Sequence, residues 1–195
     1  RLWACCPSPI PYPTAPESAK TMEPELPTPA LGKAILLDRD GIINHDPGDY
    51  TTSVDEFHIL PTVLDALKQW KSAGYKLILI TNQGGIAKGR YGHREVSEIH
   101  TVLQSACEAV GAPLDDIFYS PHHPDYGASL SRKPGSLMVE KALAKHRLDP
   151  KACWLFGDKA RDIECALGAG VRHGVLVEPN APLGQWTSLP LGGRG

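Results

Sequence analysis

From Lys33 onward, short apolar runs that end abruptly in polar residues alternate with longer segments of helical period, and this alternation restricts the fold more than any other feature. A run of four to seven apolar residues with no polar face suits a strand buried on both sides, which a parallel sheet covered by helices requires. The predicted strands are 34–38, 75–81, 117–120, 153–157 and 174–177, and the predicted helices 61–73, 94–110, 136–146 and 159–167. In the first helix Val63, Leu64, Leu67 and Trp70 share a face, Pro61 suits the first turn and Gly74 supplies a stop. Strand–helix–strand units of this kind close with right-handed crossovers. The expected fold is an α/β, Rossmann-like three-layer sandwich with a mainly parallel sheet. No segment between elements is long enough for an inserted domain, so nothing is expected to cap the sheet edge.

The folded domain is expected over 33–178. Residues 1–30 are crowded with proline, lack an apolar period and are read as a disordered extension, with Met22, the first methionine, as a candidate start. Residues 179–195 form a Gly/Pro-rich tail for which no structure is expected. A net charge of -2 argues against a general nucleic-acid grip and against attraction to an anionic membrane. No apolar run reaches membrane-spanning length. The five cysteines (5, 6, 107, 153 and 165) lack a regular spacing and fit free thiols in a reducing compartment, hence a cytoplasmic protein.

Ligands of open α/β sheets bind at the carboxyl ends of the strands. The first predicted strand ends there in Asp38-Arg39-Asp40-Gly41, two carboxylates one residue apart. An aspartate so placed can act as a nucleophile toward a phosphoryl group, and its neighbour can handle a proton. Taken alone, Asp40-Gly41 is equally a turn signal. The second strand ends in Thr81-Asn82-Gln83-Gly84-Gly85, where a hydroxyl and N–H groups beside glycines can cradle phosphate oxygens or simply form a turn. Arg132-Lys133-Pro134 follows the third strand; a lysine there can neutralise transition-state charge, although an isolated Lys-Pro is more often a solvated loop. The fourth strand ends in Gly157-Asp158-Lys159-Ala160-Arg161-Asp162. Asp158 could be an ordinary helix N-cap. Beside Asp38 it would instead make an all-oxygen site suited to magnesium.

In that order, the four pieces closely resemble the haloacid dehalogenase-like (HAD) phosphohydrolases over 34–178. Within them the chain resembles the family of heptose-bisphosphate and histidinol-phosphate phosphatases, through 37–44, 81–89, Pro121-His122-His123-Pro124, Arg132-Lys133-Pro134 and Gly157-Asp158-Lys159. The resemblance implies a phosphomonoesterase that works through an aspartyl-phosphate and takes the 7-phosphate from D-glycero-D-manno-heptose 1,7-bisphosphate. It implies Asp38 as nucleophile and Asp40 as general acid and base, with Mg2+ on the side chains of Asp38 and Asp158 and the carbonyl of Asp40. Thr81, Asn82 and Lys133 would hold the reacting phosphate; Asp46 to Tyr50, Gln83, Gly84, Arg132 and Lys159 would hold the sugar and its second phosphate. Asp162 would orient Lys159 or a metal-bound water. The resemblance implies a monomer whose partner is a small sugar-phosphate substrate, with neither nucleic acid nor membrane.

One departure stands out. The family commonly carries a zinc-binding Cys-x-His and, after a loop, Cys-x-Cys, where this chain reads Ser120-Pro121-His122 and Ser129-Leu130-Ser131. Hydroxyls do not replace thiolates as zinc ligands at neutral pH, so zinc is not expected. His122 and His123 are read as shaping the loop, and the histidines at 45, 58, 93, 100, 146 and 173 as solvated.

Histidinol-phosphate phosphatase is the nearest alternative, disfavoured by Ile43-Asn44 and by Gly85-Ile86-Ala87-Lys88-Gly89. A polynucleotide 3′-phosphatase shares the Thr-Asn-Gln and Arg-Lys-Pro pieces but calls for a basic patch. A phospho-receiver switch module would need an aspartate ending the third strand, which here ends Phe118-Tyr119-Ser120.

Overall fold

The computed structural model describes residues 31–188, in which the five apolar runs form one parallel sheet. Its strands are β1 (Ala34–Leu37), β2 (Lys76–Asn82), β3 (Asp116–Ser120), β4 (Trp154–Gly157) and β5 (His173–Leu176), in spatial order β3-β2-β1-β4-β5. The helices are α1 (Val63–Ser72), α2 (His93–Ala109), α3 (Leu137–His146) and α4 (Ala160–Gly168). Residues 1–30, expected as a disordered extension, lie outside the described part, as does the chain after 188.

Alternation along β1 and β2 divides the core into two layers. Ile35, Leu37, Leu77 and Leu79 face α1 and α2, meeting Val63, Leu67, Trp70, Ile99 and Leu103. Ala34, Leu36, Ile78 and Ile80 face α3 and α4, meeting Met138, Val139, Ala142, Cys165 and Ala166. Both faces of the central strands are therefore dry, as the unbroken apolar runs require. The Trp70 ring stacks on Phe156 with centroids 5.1 Å apart. Cutting such a side chain back to alanine costs about 3 to 5 kcal/mol.

The chain builds outward from β1 to β3, then returns to place β4 on the other side of β1. The strand order thus reverses between β1 and β4, and the carboxyl ends of these two strands open the crevice where such sheets bind ligands. No helix among the described residues is long and apolar enough to cross a membrane.

Two differences from the sequence reading have clear causes. Helix α1 begins at Val63, because Thr62 takes a left-handed conformation (φ 67°) that cannot belong to a right-handed helix. Beyond Val177, where no structure was expected, a short turn at Leu183–Trp186 packs on the domain. It buries Leu183 completely and sets Trp186 edge-on to Phe156. Residues three apart on so tight a turn face one way, so two apolar side chains are enough to hold it.

Candidate active site

Asp38 leaves the end of β1 and is buried, with its Oδ1 already engaged: the Arg39 N–H donates to it at 2.8 Å and Lys133 Nζ lies 2.9 Å away. Its Oδ2 has no such partner. Burial raises the Asp38 carboxyl to about 6, against the pull of Lys133, and the nearby charges of Asp162 and Asp40 add to the rise.

Lys133 arrives from the loop between β3 and α3 and is 1% exposed. Its ammonium donates to the Ile80 carbonyl at 2.8 Å and forms ion pairs with Asp38 Oδ1 at 2.9 Å and Asp162 Oδ1 at 2.6 Å. Burial alone would depress this ammonium, but the charges of Asp38 and Asp162 outweigh it and raise its pKa. Asn82 fixes the backbone beneath it. Its amide accepts from Lys133 N–H at 3.0 Å and donates to Lys133 C=O at 3.1 Å.

Asp40 is held from several directions. Its Oδ1 accepts from Arg39 at 2.9 Å and Asn44 at 3.0 Å, and its Oδ2 from Gln83 at 3.1 Å. Burial pushes the carboxyl up, yet the Arg39 charge and the bonds from Asn44, Arg39 and Gln83 win and hold it below the usual carboxylate range. Gln83 also donates to Thr81 Oγ1 at 3.0 Å and accepts from Tyr91 O–H at 2.8 Å. It was expected among the sugar-holding residues. It is 1% exposed, with its amide engaged on Asp40, Thr81 and Tyr91.

Asp158 is not the N-cap of α4. Lys159 takes that place, with its N–H donating to Asp162 Oδ2 at 3.0 Å. One Asp158 oxygen accepts from Lys159 Nζ at 2.8 Å, while the other is buried without a partner. A buried carboxylate oxygen left bare is costly unless something binds it. Asp38, Asp158 and Asp162 each offer an oxygen within 4.8 Å of the others, an all-oxygen set of the kind a hard cation takes. The approach of Asp158 to the turn after β1 also requires Gly41. A Cβ there would come 2.8 Å from Asp158 Oδ2, and the backbone sits at φ +83°.

In front of this group lies a cavity of about 420 Å³ whose lining includes Asp46, Tyr50, Tyr91, Lys88, Lys159 and Arg161. Lys159 Nζ reaches across to Asp46 Oδ2 at 3.1 Å. Arg132 donates to the His122 carbonyl at 2.8 Å, and its Nη1 would lie 2.8 Å from a Cβ placed on Gly84. Asp162 both caps Lys159 and anchors Lys133, the second contact being one the sequence did not suggest.

Asn180 was missed altogether. Its amide accepts from Asp46 N–H at 2.7 Å and donates to Asp46 C=O at 3.2 Å, while its own N–H donates to Gly41 C=O at 2.9 Å. It sits at φ 65°, a conformation asparagine tolerates better than most residues. Arg39, Asn44, Thr51 and Tyr91 were likewise not singled out as site residues; Arg39 could have been, as the one cation between the paired carboxylates.

At the positions where zinc ligands were sought, Ser131 Oγ lies 3.2 Å from Ser120 Oγ and 3.0 Å from Ser129 Oγ. Hydroxyl contacts thus tie the two ends of this loop together. His123 accepts from Asp125 N–H at 3.3 Å, shaping the loop between them. His100, expected to be solvated, is buried beside Val96, Ile99, Leu103 and Cys107 on the inner face of α2. Cys107, Cys153 and Cys165 are free, and burial raises each thiol to about 11.

A HAD-hydrolase-like family model matches residues 130–181. The D-glycero-beta-D-manno-heptose-1,7-bisphosphate 7-phosphatase of Haemophilus influenzae is 35% identical over 158 residues, covering 78% of this chain and 85% of its own. The enzyme of that name from Haemophilus ducreyi is 38% identical over 151 residues, covering 74% and 82%. The chain belongs to this family of HAD-like phosphatases. Among solved structures, the D,D-heptose 1,7-bisphosphate phosphatase of B. bronchiseptica, complexed with magnesium and phosphate, superposes with a TM-score of 0.71 at 34% identity. That superposition covers 80% of this chain and 84% of the other. The two share the HAD-like phosphatase fold.

Proposed function

We propose that this HAD-like phosphatase removes the 7-phosphate of D-glycero-D-manno-heptose 1,7-bisphosphate, with Asp38 as nucleophile and Mg2+ as cofactor. The observation that carries the reading is the Asp38 carboxylate, anchored by one oxygen on Lys133 and Arg39 N–H, beside the partnerless oxygen of Asp158. The names and substrates of the relatives support the choice of sugar.

Asp38 and Asp158 side chains, with the Asp40 carbonyl, would hold the metal, which when bound offsets phosphate charge. Asp38 Oδ2 attacks phosphorus, the sugar oxygen leaves, and the phosphoryl group rests on Asp38 until water removes it. Asp40 gives a proton to the leaving oxygen and then takes one from the water. Arg39, Asn44 and Gln83 keep it ionised for the second task; the negative charge of a bound phosphate ester favours the protonated form needed for the first. Lys133, with Thr81 beside it, faces the charge on the transferring group. Preorganisation by Asp162, Ile80 and Asn82 means that Lys133 need not reorganise during the step.

Turnover on heptose 1,7-bisphosphate, heptose 7-phosphate, histidinol phosphate and a 3′-phosphorylated oligonucleotide tests the substrate. The bisphosphate should give the highest kcat/KM. Preference for histidinol phosphate overturns the choice of sugar while leaving the phosphatase chemistry in place.

A further inference from the structure

The two oxygens of Asp40 are held very differently. Oδ1 accepts from Arg39, Asn44 and Thr51, which leaves it no lone pair to spare, whereas the one partner of Oδ2 among the described residues is Gln83 Nε2 at 3.1 Å. A proton that Asp40 carries therefore belongs on Oδ2. The placement of that oxygen depends on Gln83, whose amide nitrogen also donates to Thr81 Oγ1 at 3.0 Å and whose amide oxygen accepts from Tyr91 O–H at 2.8 Å. Tyr91 is well seated for this contact. It stands just before α2, with its ring edge-on to Tyr50 at 5.8 Å between centroids and over Gly85, where any Cβ would collide with the ring. Burial pushes its phenol up to about 12, so the hydroxyl keeps its proton and acts as a donor.

We propose that Tyr91 is a positioning residue, whose hydroxyl holds the Gln83 amide against Asp40 Oδ2 and so keeps the transferable proton aimed at the leaving oxygen. The inference rests on the reading of Asp40 as the acid and adds a residue from outside the strand-end motifs. Without the hydroxyl, the buried amide oxygen of Gln83 loses its partner, and an unpaired buried acceptor is costly enough to turn a long side chain elsewhere. Arg39 and Asn44 would still grip Oδ1. The charge at Asp40 is then kept while the aim of Oδ2 is lost, which separates this role from that of the residues bound to Oδ1.

The test compares kcat/KM for heptose 1,7-bisphosphate, whose alkoxide needs a proton to leave, with that for p-nitrophenyl phosphate, whose nitrophenolate does not. Histidinol phosphate, also an alkyl ester, serves equally if the sugar is not turned over. Y91F should lower kcat/KM for the alkyl ester about ten-fold, a small part of the roughly 10² to 10⁴-fold that general acid catalysis supplies, and change the aryl ester by less than about two-fold. A smaller folded fraction would lower both alike, so the split between esters reads placement rather than folding. Q83M should show the same split, and adding Y91F to it should cost nothing more, because the hydroxyl acts only through the amide. Equal losses of Y91F on both esters, or a double variant whose losses add, overturn this inference alone when D40N shows the split. A D40N enzyme without the split overturns the reading of Asp40 as the acid and this inference with it.

Discussion

Lys133 Nζ lies 2.9 Å from Asp38 Oδ1, and both side chains are buried at the carboxyl end of β1. The ammonium also carries Asp162, so one cation balances two buried carboxylates. Removing it should leave both uncompensated, and breaking a buried pair from one side costs about 3 to 5 kcal/mol. Lys133→Met should lose stability of that order in urea unfolding together with all activity. Lys133→Arg should not restore turnover, because a planar fork cannot reproduce one compact charge set between two carboxylates and the Ile80 carbonyl. An active Lys133→Met protein of normal stability would show that the ammonium serves neither purpose.

Asn180 splints the loop that carries Asp46. Glycine is the informative replacement, since it accepts the left-handed backbone at 180 and removes only the amide. Asn180→Gly should raise KM for the heptose bisphosphate several-fold and change kcat/KM for p-nitrophenyl phosphate, which is too small to use the loop, by less than two-fold. Equal losses on both substrates would assign the amide to the fold rather than to loop placement.

The hydroxyl cluster at Ser131 holds a loop that relatives are expected to hold with metal. Ser131→Ala should lower stability by about 1 kcal/mol, the usual net worth of a hydrogen bond. Chelator should abolish activity while leaving the protein folded, and magnesium alone should restore it. Unfolding on chelation, with stoichiometric zinc in the purified protein, would mean that other ligands fill the cysteine positions.

His100 gives the fold an acid-sensitive element. Burial, and secondarily the Arg39 charge, lower its pKa from 6.5 to about 4. The unfolded chain therefore binds the proton first, and stability falls as pH drops from about 6.5 toward 4, by about 3 kcal/mol once both states are protonated. His100→Gln should flatten the stability profile across that window. A variant whose profile parallels wild type there would place the acid sensitivity elsewhere, for example in the paired carboxylates.

The sheet and its helices were legible because their signals are local. A short unbroken run such as Ile35-Leu36-Leu37, closed by polar residues, suits a strand covered on both faces, and Val63, Leu67 and Trp70 mark a face at helical spacing. The strand-end residues Asp38, Thr81, Lys133 and Asp158 were legible for the same reason, once their order was noticed. What sequence could not reveal depends on distant partners. Asn180 and Asp46 meet across 134 positions, and the use of Gln83 as a clamp on Asp40 follows from side-chain directions that no spacing encodes. His100 lies next to Ile99 on α2 and both are buried, and only tertiary packing decides how far round the helix the buried face extends.

The covalent step from Asp38 is the centre of the account, and trapping it is the most direct test. Turnover of heptose bisphosphate with magnesium, stopped in acid and followed by peptide mass spectrometry, should find one phosphoryl group on the peptide containing Asp38. Asp38→Asn should show neither that adduct nor turnover, whereas Asp40→Asn should be slowed by roughly 10² to 10⁴-fold. An Asp38→Asn enzyme that hydrolyses the bisphosphate at near wild-type rate, or a phosphoryl group found on another residue, would contradict it.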